Sequence, residues 1–315
     1  MFWSRPLLWW FRRSEEGGWR PSFLTGQHGL KMAVLLCYLV VASLLLSQAG
    51  TENTRATWVW ETRWMAEAPA DIVSFAQAQR INLIYLQIDQ EQEAESYRRF
   101  IRMAREAGIQ VHALEGKPEW AIPDRREEGV GFIRWVRDYN AAVPEEERFS
   151  GVHFDVEPYL LPGWKEEQAR IVEEWTDSMD RWIREAREAG LFIAADVPFW
   201  LDKIPAPGED ASMSVWVQER FDAITIMAYR NHVNAIYDVA AADLSVGERL
   251  NRPVFVGVEL GRTDEGESVS FHGQSEHYFD YHLRALERQG GRHPSFAGVA
   301  IHHLRAWYEM VYGAE

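Results

Sequence analysis

The chain alternates two patterns along its length. Short apolar runs rich in β-branched and aromatic residues are separated by longer stretches whose apolar positions recur with helical period, as repeated βα units of a parallel sheet require. Eight such runs are present: ATWVWE from Ala56, NLIYLQID from Asn82, IQVHALEG from Ile109, GVHFDVEP from Gly151, LFIAADVP from Leu191, AITIMAYR from Ala223, PVFVGVEL from Pro253 and AGVAIHHL from Ala297. Between them lie amphipathic segments such as YRRFIRMAREAG ending at Gly108 and VEEWTDSMDRWIREAREAG ending at Gly190, each with glycine where a helix C-cap belongs. Eight strand–helix repeats predict a closed (β/α)8 TIM barrel, a single domain over residues 50–315. The alternative is a doubly wound open sheet, but no Gly-rich phosphate loop follows the first strand and the spacing is regular.

In a barrel of this kind the reactive face is formed by the carboxyl ends of the strands and the loops after them. Nearly every run ends in a polar group: Glu61, Asp89, Glu115, Asp155 with Glu157, Asp196, Tyr229 with Arg230, Glu259, and His302 with His303. In the stretch GVHFDVEPY from Gly151, strand period two puts His153, Asp155 and Glu157 on one side, with Phe154 and Val156 on the other. The apolar pair suits the helix layer, so the acids are expected to face the barrel axis. One acid after a strand is more often a helix cap or a solvated loop residue, and Glu61 or Glu115 alone carries no more than that. Seven acids converging on one mouth should raise some of their pKa values, which keeps one carboxylic acid protonated beside an ionised partner. Such a pair does glycosidic chemistry.

The first 49 residues have a different character and are set apart from the fold. Met32 to Ser47, MAVLLCYLVVASLLLS, is an uncharged apolar run after Lys31 that closes on Ser47-Gln48-Ala49, a small-x-small pattern suited to signal peptidase. The run is somewhat short for a spanning helix, which needs about 20 residues, so a cleaved signal peptide is expected before a retained membrane anchor. The preceding segment, with four tryptophans and no periodicity, is an unusual n-region, and a start at Leu30 would give a conventional one. The protein is accordingly expected to be secreted or extracytoplasmic, possible tethering included.

Charge and cysteine content narrow the partners. A formal charge of −15 argues against nucleic acid, whose binders cluster Lys and Arg. The single Cys37 lies inside the apolar run, so the exported part has no disulfide and no cysteine metal site. No cofactor and no protein partner are inferred.

At this point the residues resemble a known family. GVHFDVE at 151–157 resembles the second half of the DGxDxDxE signature that ends the fourth strand of family 18 glycoside hydrolases, the chitinases and endo-acetylglucosaminidases. FDAITIMAYR resembles that family's sixth strand, whose Met-x-Tyr-Asp closes the sugar site, and PVFVGVELG its seventh. The resemblance implies Glu157 as general acid, Asp155 as the neighbour that orients a substrate acetamido group, and Tyr229 as support for the acetamido carbonyl that attacks the anomeric carbon. Met227 would floor the pocket. The substrate then supplies the nucleophile, which requires an N-acetylated sugar. The chain departs from the pattern at Ser150 and His153, where the family has its first two aspartates, at Arg230 in place of the aspartate after the tyrosine, and at His302 in place of a tryptophan.

Two compensations are open. Arg230 could pair a substrate carboxylate, as in uronic acids or the lactyl group of muramic acid, or Glu157 could work with Asp196 or Glu259 as a two-carboxylate pair. Substrate-binding candidates are Asp89, Glu115, Asp196, Met227, Arg230, Glu259, His302, Trp60 and Trp200. Trp64, Trp120 and Trp164 also lie near strand ends, where a flat ring can stack on a pyranose or simply pack a helix; Trp135, Trp175 and Trp182 are expected to pack helices. A catalytically silent sugar-binding barrel is a second reading, favoured by the missing aspartates. A metal-dependent deacetylase using His153, Asp155 and His302 is a third, although no His pair has metal-ligand spacing and no metal is assigned. The stretch GRTDEGESVSFHGQ from Gly261 has the composition of a mobile loop that covers the cleft.

Overall fold

The computed structural model describes residues 53–313, and separately a short antiparallel pairing of Arg12–Arg13 with Trp19–Arg20. The chain divides into Met1–Glu52 and Asn53–Glu315, and the apolar run 32–47 with its cleavage pattern lies outside the described residues. Among the described residues no helix is long and apolar enough to cross a membrane.

Eight strands form the second unit: β1 Thr54–Val59, β2 Leu83–Gln87, β3 Gln110–Glu115, β4 Gly151–Phe154, β5 Ile193–Pro198, β6 Ala223–Met227, β7 Val254–Glu259 and β8 Phe296–His302. Each pairs in parallel with its neighbours, and β8 closes on β1 with Ile301 opposite Thr57, so the sheet is a closed barrel. Every predicted run contains a strand. Helices return the chain between strands: α1 Thr62–Glu67 and α2 Pro69–Ala78, then α3 Ala94–Glu106, α4 Arg126–Ala142, α5 Trp164–Glu188, α6 Met213–Arg220, α7 Val233–Leu250, α8 Glu276–Gly290 and α9 Leu304–Tyr312. α3 and α5 end as expected: Gly108 and Gly190 take positive φ of 78° and 67°, a backbone state that favours glycine.

Period two along the strands builds two cores. Outward-facing Ile84, Val111, Val152, Phe154, Ile224 and Val256 pack under the helices. Inside the barrel a smaller cluster holds Ala56 and Trp58 of β1, Leu83 and Tyr85 of β2, Leu114, Ala194, Ala223, Phe255 and Ala300. Small residues on β5, β6 and β8 leave space that the large rings from β1 and β2 fill, which closes the barrel to water below its mouth. Trp182 of α5 stacks on Phe154 at 5.0 Å and Trp135 on Tyr139 at 5.6 Å, while Trp175 is buried, so these three pack helices as expected.

Candidate active site

β4 is the short strand, and its shortness makes the site. Pairing with β5 stops at Phe154, and Pro158, which has no N–H to continue a ladder, opens a tight turn over Pro158–Leu160. Asp155 and Glu157 therefore project beyond the sheet into the mouth. Val156 is buried in the outer core with Phe154, and His153 is fully buried inside the barrel, so the alternation continues past the last sheet bond. Gly116, just after β3, lies so close that a Cβ there would stand 1.9 Å from the Asp155 carbonyl oxygen.

Four carboxyl groups meet at this mouth, and their surroundings sort them. Asp196 of β5 is 3% exposed, accepting from Trp58 Nε1 at 3.0 Å on one oxygen and facing His153 Nε2 at 2.8 Å with the other. Burial drives His153 down to about 3, so its ring is neutral and the contact is a hydrogen bond, not an ion pair; burial also pushes the Asp196 carboxyl well up. Tyr85 stacks on His153 at 3.8 Å and meets Thr225 Oγ1 at 3.2 Å, which fixes the ring. Glu259 is engaged too: Oε1 accepts from the Gly261 N–H and Oε2 faces His302 Nδ1 at 2.7 Å.

Asp155 and Glu157 are the two left for chemistry. Asp155 Oδ1 is buried with no hydrogen-bond partner among the described residues. Burial raises the Asp155 pKa well above the usual range, and the charges of Asp196 and Glu157 add to it while His302 opposes. Burial likewise raises Glu157; hydrogen bonding from the Tyr159 hydroxyl to Oε2 and the nearness of His302 oppose this, and Glu265 adds to it. The Tyr229 phenol is pushed well up by burial and by Glu259, Asp196, Asp155 and Glu157, so it remains an O–H donor. Met227 is 8% exposed beneath it.

His302 sits between opposing demands. Burial opposes its charge, but Glu259, Asp155 and Asp196 outweigh this and raise its pKa. Trp60 Nε1 nevertheless points at Nε2 from 2.9 Å, and an indole N–H can only donate. The arrangement fits neutral His302 with its proton on Nδ1 toward Glu259; protonation requires Trp60 to turn away.

These contacts place the other candidates. Asp196, Glu259 and His302 have polar atoms paired across the barrel, so each also supports the mouth. Trp60 is held edge-on by His302, not laid open as a stacking platform. Asp89 and Glu115 line a neighbouring cavity of about 590 Å³, with Gln87, Lys117 and Trp120, that Asp155 and Glu157 do not line. Asp89 also caps the Glu91 N–H at 2.9 Å, and Trp120, 4% exposed, packs in the outer core. The deacetylase ligand set does not converge, since His153 and His302 use their facing nitrogens on Asp196, Glu259 and Trp60; among the described residues no group of three His, Cys, Asp or Glu could hold a metal. The segment expected to be a mobile cover is tied down: Asn231 bonds the Ser268 and Glu267 carbonyls at 3.0 and 2.7 Å, Phe271 N–H bonds the Glu259 carbonyl at 2.8 Å, and Phe271 is buried.

Trp200 does stand at the mouth, half-buried, with its ring 5.1 Å from Tyr159 and 6.3 Å from Trp164. Sequence reasoning did not assign Trp58, Tyr85 or Tyr159. The first two lie on the inward period of β1 and β2, a signal that was available; Tyr159 lies beyond Pro158, where strand period no longer applies.

The closed parallel barrel with acids at the carboxyl end of its fourth strand is a (β/α)8 TIM barrel, and in fold it is similar to solved chitinase and glycoside hydrolase barrels. A chitinase from Bacteroides thetaiotaomicron matches with TM-score 0.53 and 13% identity over 81% of this chain and 91% of that one. The second catalytic domain of the Group II chitinase of Ostrinia furnacalis, solved with a penta-N-acetylchitooctaose, matches with TM-score 0.50 and 13% identity over 81% and 90%. The PgaB (BpsB) glycoside hydrolase domain from Bordetella bronchiseptica gives 0.50 and 11% over 82% and 98%. No protein-family model and no curated protein matches the sequence.

Proposed function

We propose that this protein is a glycoside hydrolase that cleaves a polysaccharide or glycan, with Glu157 as general acid and Asp155 and Tyr229 as its partners. The observation that carries the reading is the pair at the end of β4. Glu157 is kept toward its protonated form by burial, beside Asp155 with a free buried oxygen. A protonated carboxyl at a barrel mouth can give its proton to a glycosidic oxygen. The Asp155 carboxyl is then available to orient an acetamido N–H, and the Tyr229 hydroxyl to hold its carbonyl, so the substrate's own oxygen attacks the anomeric carbon as the leaving group takes the Glu157 proton. Asp196 and Glu259 are poor candidates for a protein nucleophile, because both their oxygens are engaged. Trp200, Tyr159 and Trp164 offer apolar faces along one wall.

Action outside the cytoplasm is part of the proposal, as a secreted or N-terminally tethered enzyme, and rests on the apolar run from Met32 to Ser47. The test is product release by the full chain and by Glu157→Gln from chitin oligomers, peptidoglycan, uronate polymers and exopolysaccharides. Turnover lost in the variant supports the reading. Retention of a polymer without cleavage by either protein would make the barrel a sugar binder instead.

A further inference from the structure

Arg230 is an unpaired cation among acids. It follows Tyr229 directly after β6, in a chain whose formal charge is −15. Other arginines of the barrel do pair with acids, as Arg98 with Glu147 at 2.6 Å and Arg134 with Glu185 at 2.8 Å. Arg230 has no carboxylate within ion-pair distance among the described residues, although Asp264, Glu265 and Glu267 lie on the loop that Asn231 ties down beside it.

What holds it is not charge. Its Nη1 donates to its own residue's neighbour, the Tyr229 carbonyl, at 2.7 Å, and its Cζ lies 4.7 Å from the centre of the Phe199 ring. Phe199 precedes Trp200, whose ring meets Tyr159, the residue that hydrogen-bonds Glu157. An aromatic contact and a backbone hydrogen bond thus hold the guanidinium on the residue that follows Tyr229, whose phenol lies close enough to Asp155 and Glu157 to feel their charge. Among the described residues its Nε and Nη2 donors have no hydrogen-bond partner, and neither atom is buried. A guanidinium edge with two parallel N–H donors matches a carboxylate in bidentate geometry.

We propose that Arg230 is a specificity-determining residue that takes the carboxylate of an acidic sugar unit, so that the substrate is a carboxylated glycan. This rests on the glycoside hydrolase reading for the site. The carboxylate can belong to a uronic acid unit next to the N-acetylated sugar that is cleaved or to the lactyl ether of a muramic acid; the chemistry at Arg230 is the same, and the experiment separates them.

Binding is measured with the full chain carrying Glu157→Gln, at about 0.15 M salt to screen long-range charge. The probes are polygalacturonate, alginate and peptidoglycan, each beside the same polymer with its carboxyl groups reduced to alcohols, and chitin oligomers. At least one carboxylated polymer is expected to bind about tenfold tighter than its reduced form, and adding Arg230→Gln should abolish the difference. Arg230→Lys, which keeps the charge without the fork, should restore part of it. The uronate and peptidoglycan arms identify the source. If no carboxylated polymer is preferred, or the preference survives Arg230→Gln in a folded variant, the inference is overturned. Turnover by the chain with Glu157 intact is scored separately. Cleavage of neutral chitin oligomers unaffected by Arg230→Gln overturns the inference and leaves the hydrolase; an Arg230-dependent preference without any turnover does the reverse.

Discussion

The Tyr159 hydroxyl donates a hydrogen bond to Glu157 Oε2, from only two residues further along the chain. This leaves Oε1 as the oxygen free to carry the acid proton, and it stabilises the carboxylate against the burial that raises its pKa. Tyr159→Phe should therefore raise the Glu157 pKa further. The alkaline limb of the pH–rate profile, which reports loss of the acid's proton, is expected to move up by about one pH unit, since a hydrogen bond to a charged group contributes about 1.5–3 kcal/mol. Glu265 acts in the other direction, so Glu265→Gln should move the same limb down, by less, because the loop residue is exposed and its charge is screened. Shifts of the same sign in the two variants would show that Glu157 does not set this limb.

The backbone of Gly116 is part of the site's architecture. A methyl group there meets the Asp155 carbonyl oxygen at 1.9 Å, closer than any real contact, and the obstacle is main chain that cannot rotate aside. Gly116→Ala should force the end of β4 away from β3 and lower stability by about 1–3 kcal/mol, the usual range for overpacking. Chemical denaturation measures the loss. Gly131, on the exposed side of α4 with nothing within 4 Å of its Cβ position, is the control: Gly131→Ala should be neutral or stabilising.

How far this could be read from sequence depends on the range of the interaction. All eight strands are legible because each is an apolar run whose own alternation decides its two faces, and Gly108 and Gly190 mark helix ends by a property of a single residue. Asp155 and Glu157 are legible for the same reason, as continuations of the alternation that buries His153. What was not legible is pairing across the barrel axis. Trp58 and Asp196 are 138 residues apart, and His302 and Glu259 are 43 apart; no local pattern says that these carboxylates already have partners. Candidates named by their place at a strand end were thus a mixture of free groups and supports. Asp89 and Glu115 show the other limit, because distance around the mouth depends on loop paths that period does not encode.

Asp196 offers a direct measure of that support. Removing its carboxyl leaves Trp58 Nε1 and His153 Nε2 buried without their partner, and each such group carries a penalty of about 1–3 kcal/mol. Asp196→Ala should destabilise the barrel by roughly 2–5 kcal/mol through those two groups and the cavity. Asp196→Asn preserves an acceptor for Trp58 and a donor for His153 and should change stability far less. Equal losses in urea unfolding of the two variants would count against the hydrogen-bond account.

A buried acid away from the mouth predicts how stability varies with pH. Asp243 of α7 is 1% exposed; its Oδ1 accepts from Ser214 and from Gln218 Nε2, and its Oδ2 has no partner. Burial raises its pKa from 3.8 to about 6, against the hydrogen bonds of Ser214 and Gln218 and with help from the charge of Asp202. Between those two values the folded state keeps a proton that the unfolded chain has released, so the contribution of this group to stability falls as pH rises through the window and stays low above it. Two pH units correspond to roughly 3 kcal/mol at full effect. Asp243→Asn removes the ionisation and can offer an N–H to Gln218 Oε1, a buried acceptor in the same cluster that also lacks a partner. The variant should gain stability over the parent at pH 7.5 and lose that advantage at pH 3.5. Paired unfolding curves at the two pH values decide it: a difference between variant and parent that does not change with pH would place the ionisation of Asp243 outside the folded protein's energetics.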